Sequence, residues 1–215
     1  MAAQNINKRM PKTRVLFAPL DWGLGHATRC IPLVREFQAL GCEVIIAAES
    51  ATKALLATEF QDLNFIPLKG YRVGYTRKRK FLPLKIIAQI PRILSVIYYE
   101  QRWVKKVVEE NAINLIIADN RFGLYHKDIP SIYLTHQLLI RTGREWTDKI
   151  AQKIHFSFIR KYTGCWVPDF QGKQNISGEL GHVQHPPPSL RYIGCLSRFE
   201  KKEGIEKHNF EDYEG

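Results

Sequence analysis

The chain has 215 residues, of which 45% are hydrophobic, and it carries a formal net charge of +11 at pH 7. This length suits one large domain or two small ones, and the apolar content is sufficient for a packed core. No apolar run approaches the roughly eighteen residues that a membrane span needs, and the four cysteines lack metal-site spacing. These features argue against a transmembrane helix, a disulfide scaffold and a zinc module.

The first predicted unit is a strand, a glycine turn and a helix. The apolar run Val15 to Leu20 predicts a buried strand, and the turn after it contains Gly23 and Gly25. A helix follows, because apolar residues recur there at three- and four-residue steps: Ala27, Cys30, Ile31, Val34, Phe37 and Leu40. Ligands of α/β sheets bind where strands end and such helices begin, so this turn is predicted to lie at the binding edge.

Strands and helices continue to alternate along the chain. Gly41 is a natural helix-ending residue, and residues 70–82 are predicted to be a mobile loop. Further strands are predicted at 42–48, 64–68, 113–118, 131–135, 165–167 and 191–193. Further helices are predicted at 51–60, at 84–110 with an interruption near Pro91, and at 146–162.

This order of elements predicts an α/β fold, a doubly wound, mostly parallel Rossmann-like sheet of six to seven strands. The domain is expected to span residues 13–199. Residues 1–12 are expected to be a disordered N-terminus, because they are polar and lack the apolar core of a signal sequence. Residues 200–215 are charged and are expected to form a tail or linker.

The positive charge is concentrated in one segment. Residues 69–106 contain eleven Lys or Arg and one acid, Glu100, which leaves +1 of the +11 for the rest of the chain. A basic and apolar run lies inside this segment: Arg77, Lys78, Arg79, Lys80, Phe81 and Leu82. Such a run suits an anionic membrane surface, where each cation contributes about 1 kcal/mol. The alternatives are a solvated loop before a core helix and a nucleic-acid patch, but no nucleic-acid motif accompanies the run.

Polar side chains also follow two predicted strands at the edge where the glycine turn is expected. Asp119, Asn120 and Arg121 follow strand 113–118, and His136 and Gln137 follow strand 131–135. The ends of parallel strands meet in one crevice, so these residues are predicted to line it together with His26. In the alternative interpretation, Asp119 caps a turn, and Asn120 and Arg121 are surface residues. The other histidines are interpreted as surface or loop residues: His126, His155, His182, His185 and His208.

The glycine turn itself admits a cofactor interpretation. Gly23 and Gly25, with Thr28 in the third position, form an incomplete GxGxxG motif. Glu49 ends the second predicted strand, where a dinucleotide-binding domain has its ribose-binding acid. The missing third glycine and the presence of His26 weigh against this interpretation. A tight turn without any ligand is the remaining possibility.

The segment Leu20-Asp-Trp-Gly-Leu-Gly-His-Ala-Thr-Arg-Cys-Ile-Pro-Leu33 resembles the N-terminal domain of GT-B glycosyltransferases. The resemblance is to glycosyltransferases similar to the peptidoglycan N-acetylglucosaminyltransferase that forms lipid II. It extends from residue 14 to about residue 199 and includes five later segments: Pro67–Arg72, Ala118–Tyr125, Tyr133–Gln137, Cys165–Asp169 and Arg191–Phe199.

The resemblance implies that this domain binds the acceptor, while a second Rossmann-like domain holds most of a nucleotide-sugar donor, without a metal or other cofactor. It implies that Gly23, Gly25 and Thr28 form a loop facing the acceptor and the donor phosphates. His26 is then either the base that removes the acceptor proton or a hydrogen-bond donor that caps the helix.

The sequence stops where the second domain is expected, so sugar transfer by this chain alone is not expected. The expected partners are the nucleotide-sugar, the acceptor, a separate donor-binding domain or subunit, and an anionic membrane surface. The expected location is the cytoplasm, peripheral to the inner face of the membrane. Two other functions remain open: a non-catalytic acceptor-binding or membrane-recruiting subunit of a split enzyme, and a Rossmann-type cofactor-binding protein.

Overall fold

The computed structural model describes residues 12–72, 82–187 and 189–199. Within these residues, seven parallel strands form one sheet in the order β3-β2-β1-β4-β5-β6-β7. The strands are β1 (Arg14–Ala18), β2 (Glu43–Ala47), β3 (Asn64–Ile66), β4 (Leu115–Asp119), β5 (Ser131–Leu134), β6 (Gly164–Val167) and β7 (Leu190–Tyr192). The helices are α1 (Leu24–Ala39), α2 (Ser50–Glu59), α3 (Leu82–Asn111) and α4 (Glu145–Ile159), with a 3₁₀ turn at Gly178–Leu180.

Helices cover both faces of the sheet, which divides the core into two layers. Within β1, Val15 and Phe17 pack in the cluster that contains the α1 and α2 residues, while Leu16 packs in the cluster that contains α3 and α4. This alternation follows from the two-residue period of a strand and explains why all four positions of β1 after Arg14 are apolar. The doubly wound α/β fold predicted from the sequence is therefore confirmed.

All seven predicted strands and all four predicted helices are present, with bounds shifted by a few residues. Strand β1 ends at Ala18, one residue before Pro19, which has no N–H for the sheet ladder. Helix α1 ends as predicted: Gly41 has φ of 79°, its N–H donates to the Gln38 carbonyl, and the Cys42 N–H donates to the Phe37 carbonyl.

One expectation about the helices is wrong. Helix α3 runs without a break through Pro91, since a proline removes only one backbone hydrogen bond and the 30-residue helix retains the others. Leu40, the last apolar residue of the predicted helical pattern, is 68% exposed, because it lies beyond the last turn of α1.

The predicted membrane segment Arg77 to Phe81 lies outside the described residues, as do the N-terminus before residue 12 and the tail after residue 199. Leu82 is the first residue of α3. Among the helices of the described part of the chain, none is both long and apolar enough to cross a membrane.

Candidate functional site

The candidate site lies at the carboxyl ends of three neighbouring strands, β1, β4 and β5. The chain leaves β1 through a turn and enters α1 at Gly23, whose φ of 77° is a conformation that glycine adopts without steric cost. Asp119 is the last residue of β4, and His136 follows β5 by two residues. The parallel order therefore brings side chains from three distant parts of the sequence to one edge, as predicted.

His26 and Asp119 are in direct contact. His26 lies in the first turns of α1, and its Nδ1 is 3.0 Å from Oδ2 of Asp119. The Asp119 side chain is 1% exposed and that of His26 is 13% exposed. The carboxylate is therefore shielded from solvent, while part of the imidazole is accessible. A carboxylate in this position fixes the orientation of an imidazole and stabilises its protonated form.

Arg29 joins the same cluster, and sequence reasoning missed it. Its Nε donates to Oδ2 of Asp119 over 2.8 Å, and one terminal nitrogen pairs with Oδ1, which gives a bidentate ion pair. The other terminal nitrogen contacts Nδ1 of His136. The available signal was its spacing, because residues three apart on a helix, such as His26 and Arg29, share one face.

The contacts of His26 allow two tautomers. Its Nδ1 is 3.0 Å from the Asp119 carboxylate and 2.6 Å from the guanidinium of Arg29. One ring nitrogen either donates to the carboxylate or accepts from the guanidinium, but it does not do both. When Nδ1 carries the proton and donates to Asp119, Nε2 has the free lone pair and is able to accept a proton from a ligand.

His136 faces His26 across the crevice, with the ring centroids 6.3 Å apart. Partial burial, the Arg29 guanidinium and His26 lower the pKa of His136, and Asp119 opposes them. A neutral ring suits the contact with Arg29, since Nδ1 then accepts the guanidinium hydrogen and Nε2–H is a donor. The cluster thus presents two imidazoles to the crevice: Nε2 of His26 can accept a proton, and Nε2–H of His136 can donate a hydrogen bond.

The start of α1 also borders a cavity of about 450 Å³ that is lined by Gly25, Thr28, Arg29 and residues 196–199. The Thr28 hydroxyl donates to the Gly25 carbonyl within the helix over 3.1 Å. Two apolar side chains beside this turn are exposed, Trp22 at 38% and Leu24 at 49%. The turn therefore combines polar groups with an apolar rim.

Three predicted crevice residues have other surroundings. Arg121 was predicted to line the crevice, but it is 1% exposed and forms an ion pair with Glu100, because a buried guanidinium requires a carboxylate partner. Asn120 has φ of 51°, which asparagine tolerates, and its side-chain oxygen accepts from the Tyr133 hydroxyl over 3.3 Å. Gln137 is exposed, and its amide donates to the Leu139 carbonyl.

One histidine interpretation is wrong. His155 was interpreted as a surface or loop residue, but it lies in α4, is 6% exposed and packs against the rings of Phe122 and Tyr133. Its helical position turns it toward the sheet, and burial lowers its pKa to about 4. Of the others, His185 is exposed and His182 stacks on Tyr192. His126 lies in a loop, and His208 is outside the described residues.

The acid that a dinucleotide-binding domain would use is already bonded within the protein. Glu49 accepts a hydrogen bond from the Gly70 N–H over 2.8 Å and forms an ion pair with Arg72. These contacts give the Glu49 carboxylate a structural role in the loop after β3. In the part of the chain that the structure describes, no group of three or more His, Cys, Asp or Glu side chains is arranged to hold a metal ion.

Comparison with known proteins identifies the fold. No protein-family profile and no curated protein sequence matches the chain. Solved structures do match, among them the glycosyltransferase of kitacinnamycin (13% identity, TM-score 0.59, 93% of this chain and 56% of that one). A UDP-glucosyltransferase from Polygonum tinctorium that glucosylates indoxyl matches at 11% identity and a TM-score of 0.54, over 94% of this chain and 56% of that one.

A third structure, LpCGTa in complex with UDP, matches at 11% identity and a TM-score of 0.54, over 86% of this chain and 53% of that one. The chain therefore has an α/β Rossmann-like fold that it shares with these glycosyltransferase structures, as the resemblance implied. It spans about half the length of the solved structures that it matches.

Proposed function

We propose that this chain is the acceptor-binding half of a glycosyltransferase that uses a nucleotide-sugar donor. The single observation that carries the proposal is the contact of 3.0 Å between His26 and Asp119 at the carboxyl edge of the sheet. A histidine held by a buried carboxylate at a ligand-binding edge is an arrangement suited to general base catalysis.

The proposed chemistry uses the tautomer in which Nδ1–H of His26 donates to Asp119. Nε2 of His26 then takes the proton from an acceptor hydroxyl as the acceptor oxygen bonds to the anomeric carbon of the sugar. The bond from that carbon to the nucleotide diphosphate breaks, and its electron pair leaves with the diphosphate. Asp119 stabilises the imidazolium that forms, and Arg29 holds the carboxylate in place through two contacts.

The acceptor in this proposal is a hydroxyl compound with an apolar body. Trp22 and Leu24 are exposed beside the turn that carries His26, and Phe199 is 77% exposed near the cavity at the start of α1. Exposed aromatic and aliphatic side chains around a few polar groups are typical of sites for small organic ligands. The donor is expected to be held by a second Rossmann-like domain or subunit.

The test is a transfer assay with the complete enzyme, that is, this chain together with its donor-binding half. His26→Ala is expected to lower kcat by about 10²- to 10⁴-fold, the usual contribution of a general base. Asp119→Asn is expected to lower kcat with little change in the acceptor KM, because the carboxylate acts on the imidazole. His185→Ala is the control, since His185 is exposed and outside the cluster.

Three outcomes would contradict the proposal. Turnover by this chain without a donor-binding half would show that it is not a half-enzyme. Full activity of His26→Ala would show that His26 is not the base and would favour the alternative, a non-catalytic acceptor-binding subunit. Tight binding of NAD to the isolated chain would favour the cofactor alternative.

We also propose that the chain contacts an anionic membrane surface through α3 and the basic run before it. The outer face of α3 exposes an apolar stripe of Ile90 (44%), Leu94 (52%) and Tyr98 (66%), spaced four residues apart. Arg92 and Arg102 are exposed on the same helix. A helix with apolar residues on its exposed face and neighbouring cations is typical of proteins that lie on a membrane.

Co-sedimentation with vesicles tests the membrane proposal. Binding to vesicles with anionic lipid is expected to fall steeply with salt, and replacing Leu94 and Tyr98 by serine is expected to weaken it further. Ile176→Ser is the matched control, because Ile176 is 78% exposed and lies in a loop away from α3 in the sequence. Binding that is absent, or that is equal with neutral vesicles, would contradict the proposal.

A further inference from the structure

We propose that Arg121 and Glu100 are positioning residues, whose buried ion pair fixes the turn that leads to His26 relative to the strand end that carries Asp119. This inference rests on the proposed function, because that function gives the His26–Asp119 contact its importance. Its test measures loop order and does not need catalytic activity.

Arg121 joins three loops at the carboxyl edge of the sheet. Its Nε donates to the Pro19 carbonyl over 2.9 Å, and one terminal nitrogen donates to the Lys69 carbonyl over 3.1 Å and to Glu100 over 2.8 Å. Pro19 precedes the glycine turn, and Lys69 lies in the loop after β3. Since Arg121 follows Asp119 by two residues, one guanidinium links the end of β4 directly to the loop that leads to His26.

Glu100 provides a second route to the same turn. Its Oε2 accepts from the Tyr71 hydroxyl over 2.8 Å and from the Gly123 N–H over 2.9 Å. The backbone N–H of Tyr71 donates in turn to the Asp21 carboxylate over 3.0 Å. Pro19 and Asp21 are therefore each tied to the buried ion pair, and the turn is held on both sides of Leu20.

The loops around the ion pair are packed so closely that two positions require glycine. A Cβ at Gly70 would overlap the Asp21 carboxylate, and a Cβ at Gly123 would overlap the Ile97 carbonyl and the Glu100 side chain. The ion pair itself is 0–1% exposed. A contact so well enclosed restricts the loop positions far more than a surface ion pair would.

An exchange of Arg121 for lysine tests whether the guanidinium holds the loops in place or only neutralises Glu100. Lysine at position 121 would keep the charge beside Glu100, but its ammonium is a point charge and lacks the planar fork that spans three acceptors. Arg121→Lys therefore removes the links to the loops while it retains the ion pair. A residue that only neutralised Glu100 would tolerate this exchange.

The experiment compares Arg121→Lys with Val108→Ala, a core variant in α3 whose side chain takes no part in the hydrogen bonds of Arg121 and Glu100. In Arg121→Lys, amide hydrogen exchange over residues 19–26 and 69–72 is expected to be about tenfold faster or more. The NMR resonances of the His26 ring are expected to move from their native positions. In Val108→Ala, both local readouts are expected to match the native chain. Native exchange and native His26 resonances in Arg121→Lys would overturn the proposal.

A double variant, Arg121→Met with Glu100→Met, separates positioning from stability. Methionines can fill the space of a buried ion pair, so thermal stability is expected to recover relative to either single variant. Exchange in the two loops is expected to stay fast, and the His26 resonances are expected to stay displaced. Recovery of all three readouts would show that the pair only stabilises the fold and would overturn the proposal.

Tyr71→Phe serves if Arg121→Lys does not fold, because it removes one link and leaves the ion pair intact. Its loops are expected to exchange faster by a smaller factor, and native exchange would again overturn the proposal. If the Arg121 variants change loop exchange as expected but the native complete enzyme transfers no sugar, the result counts against the proposed function and not against the positioning role of the ion pair.

Discussion

Two carboxylate–guanidinium pairs lie at the same edge of the sheet and have different surroundings. Asp119 pairs with Arg29 beside two imidazoles, His26 and His136. Glu100 pairs with Arg121 among backbone groups and the Tyr71 hydroxyl. The side chains of Arg29 and Arg121 are 12% and 1% exposed, so only the first pair has any access to solvent.

The difference separates the cluster proposed to be catalytic from an ion pair that is enclosed by the fold. Around Asp119 lie two imidazoles, the type of side chain best suited to proton transfer, and the proposed function places the acceptor hydroxyl beside them. Around Glu100, the polar contacts are all made by loops of the same chain, and burial raises the pKa of Glu100 although Arg121 and Tyr71 oppose it. The first arrangement can take part in proton transfer, whereas the second holds loops in place.

The largest expected effect is on stability, where the two pairs should differ. Arg121→Met leaves Glu100 buried without its cation and is expected to cost about 3–5 kcal/mol of unfolding free energy. Arg29→Met leaves His26 beside Asp119 and is expected to cost about 1–2 kcal/mol. Chemical denaturation of both variants measures the difference, and equal losses would remove the distinction.

The second largest expected effect is the loss of stability in acid that is caused by the buried His155. Burial holds the folded-state pKa of His155 at about 4, below its ordinary value of 6.5, so unfolding takes up a proton in acid. Its stabilising contribution is complete above pH 6.5 and is lost as the pH falls from 6.5 to about 4, a loss of about 3 kcal/mol. His155→Phe is expected to flatten this part of the curve of unfolding free energy against pH.

The control for that measurement is His185→Ala, because His185 is exposed. This variant is expected to keep the native loss of stability in acid. A native pH dependence in His155→Phe would show that other groups, and not the buried imidazole, govern acid unfolding.

The smallest effect concerns a single hydroxyl. Tyr71→Phe removes the donor to Glu100 and the acceptor for the Phe122 N–H, and is expected to cost about 1–2 kcal/mol. Tyr98→Phe is the matched control, since Tyr98 is 66% exposed on α3, and is expected to change the unfolding free energy by about zero. Thermal unfolding of both variants tests whether the buried network, rather than tyrosine hydroxyls in general, supports the fold.

Much of the fold and part of the site were predictable from the sequence. Periodicity located the strands and helices, and the alternation of the two placed His26, Asp119 and His136 at one edge. Arg29 was missed, although it lies three residues after His26, because a helical arginine is usually solvated. The break predicted at Pro91 was wrong, because a long helix tolerates the loss of one hydrogen bond.

Arg121 and His155 show why the remainder was not predictable. Both are polar residues that usually lie at the surface, and nothing in their local sequence indicates burial. Arg121 is buried because Glu100, 21 residues earlier in the chain, is brought beneath it by α3. His155 is buried because α4 turns that face toward Phe122 and Tyr133.

The sequence by itself determined the α/β fold, the order of its elements and the edge at which the glycine turn lies, because these depend on periodic patterns within short segments. Only the tertiary structure decided which polar residues at that edge face the crevice and which are enclosed by loops. That division depends on contacts between segments far apart in the chain, such as those of Asp119 with His26 and of Arg121 with Pro19. Long-range contacts of this kind leave no periodic signal in a single sequence.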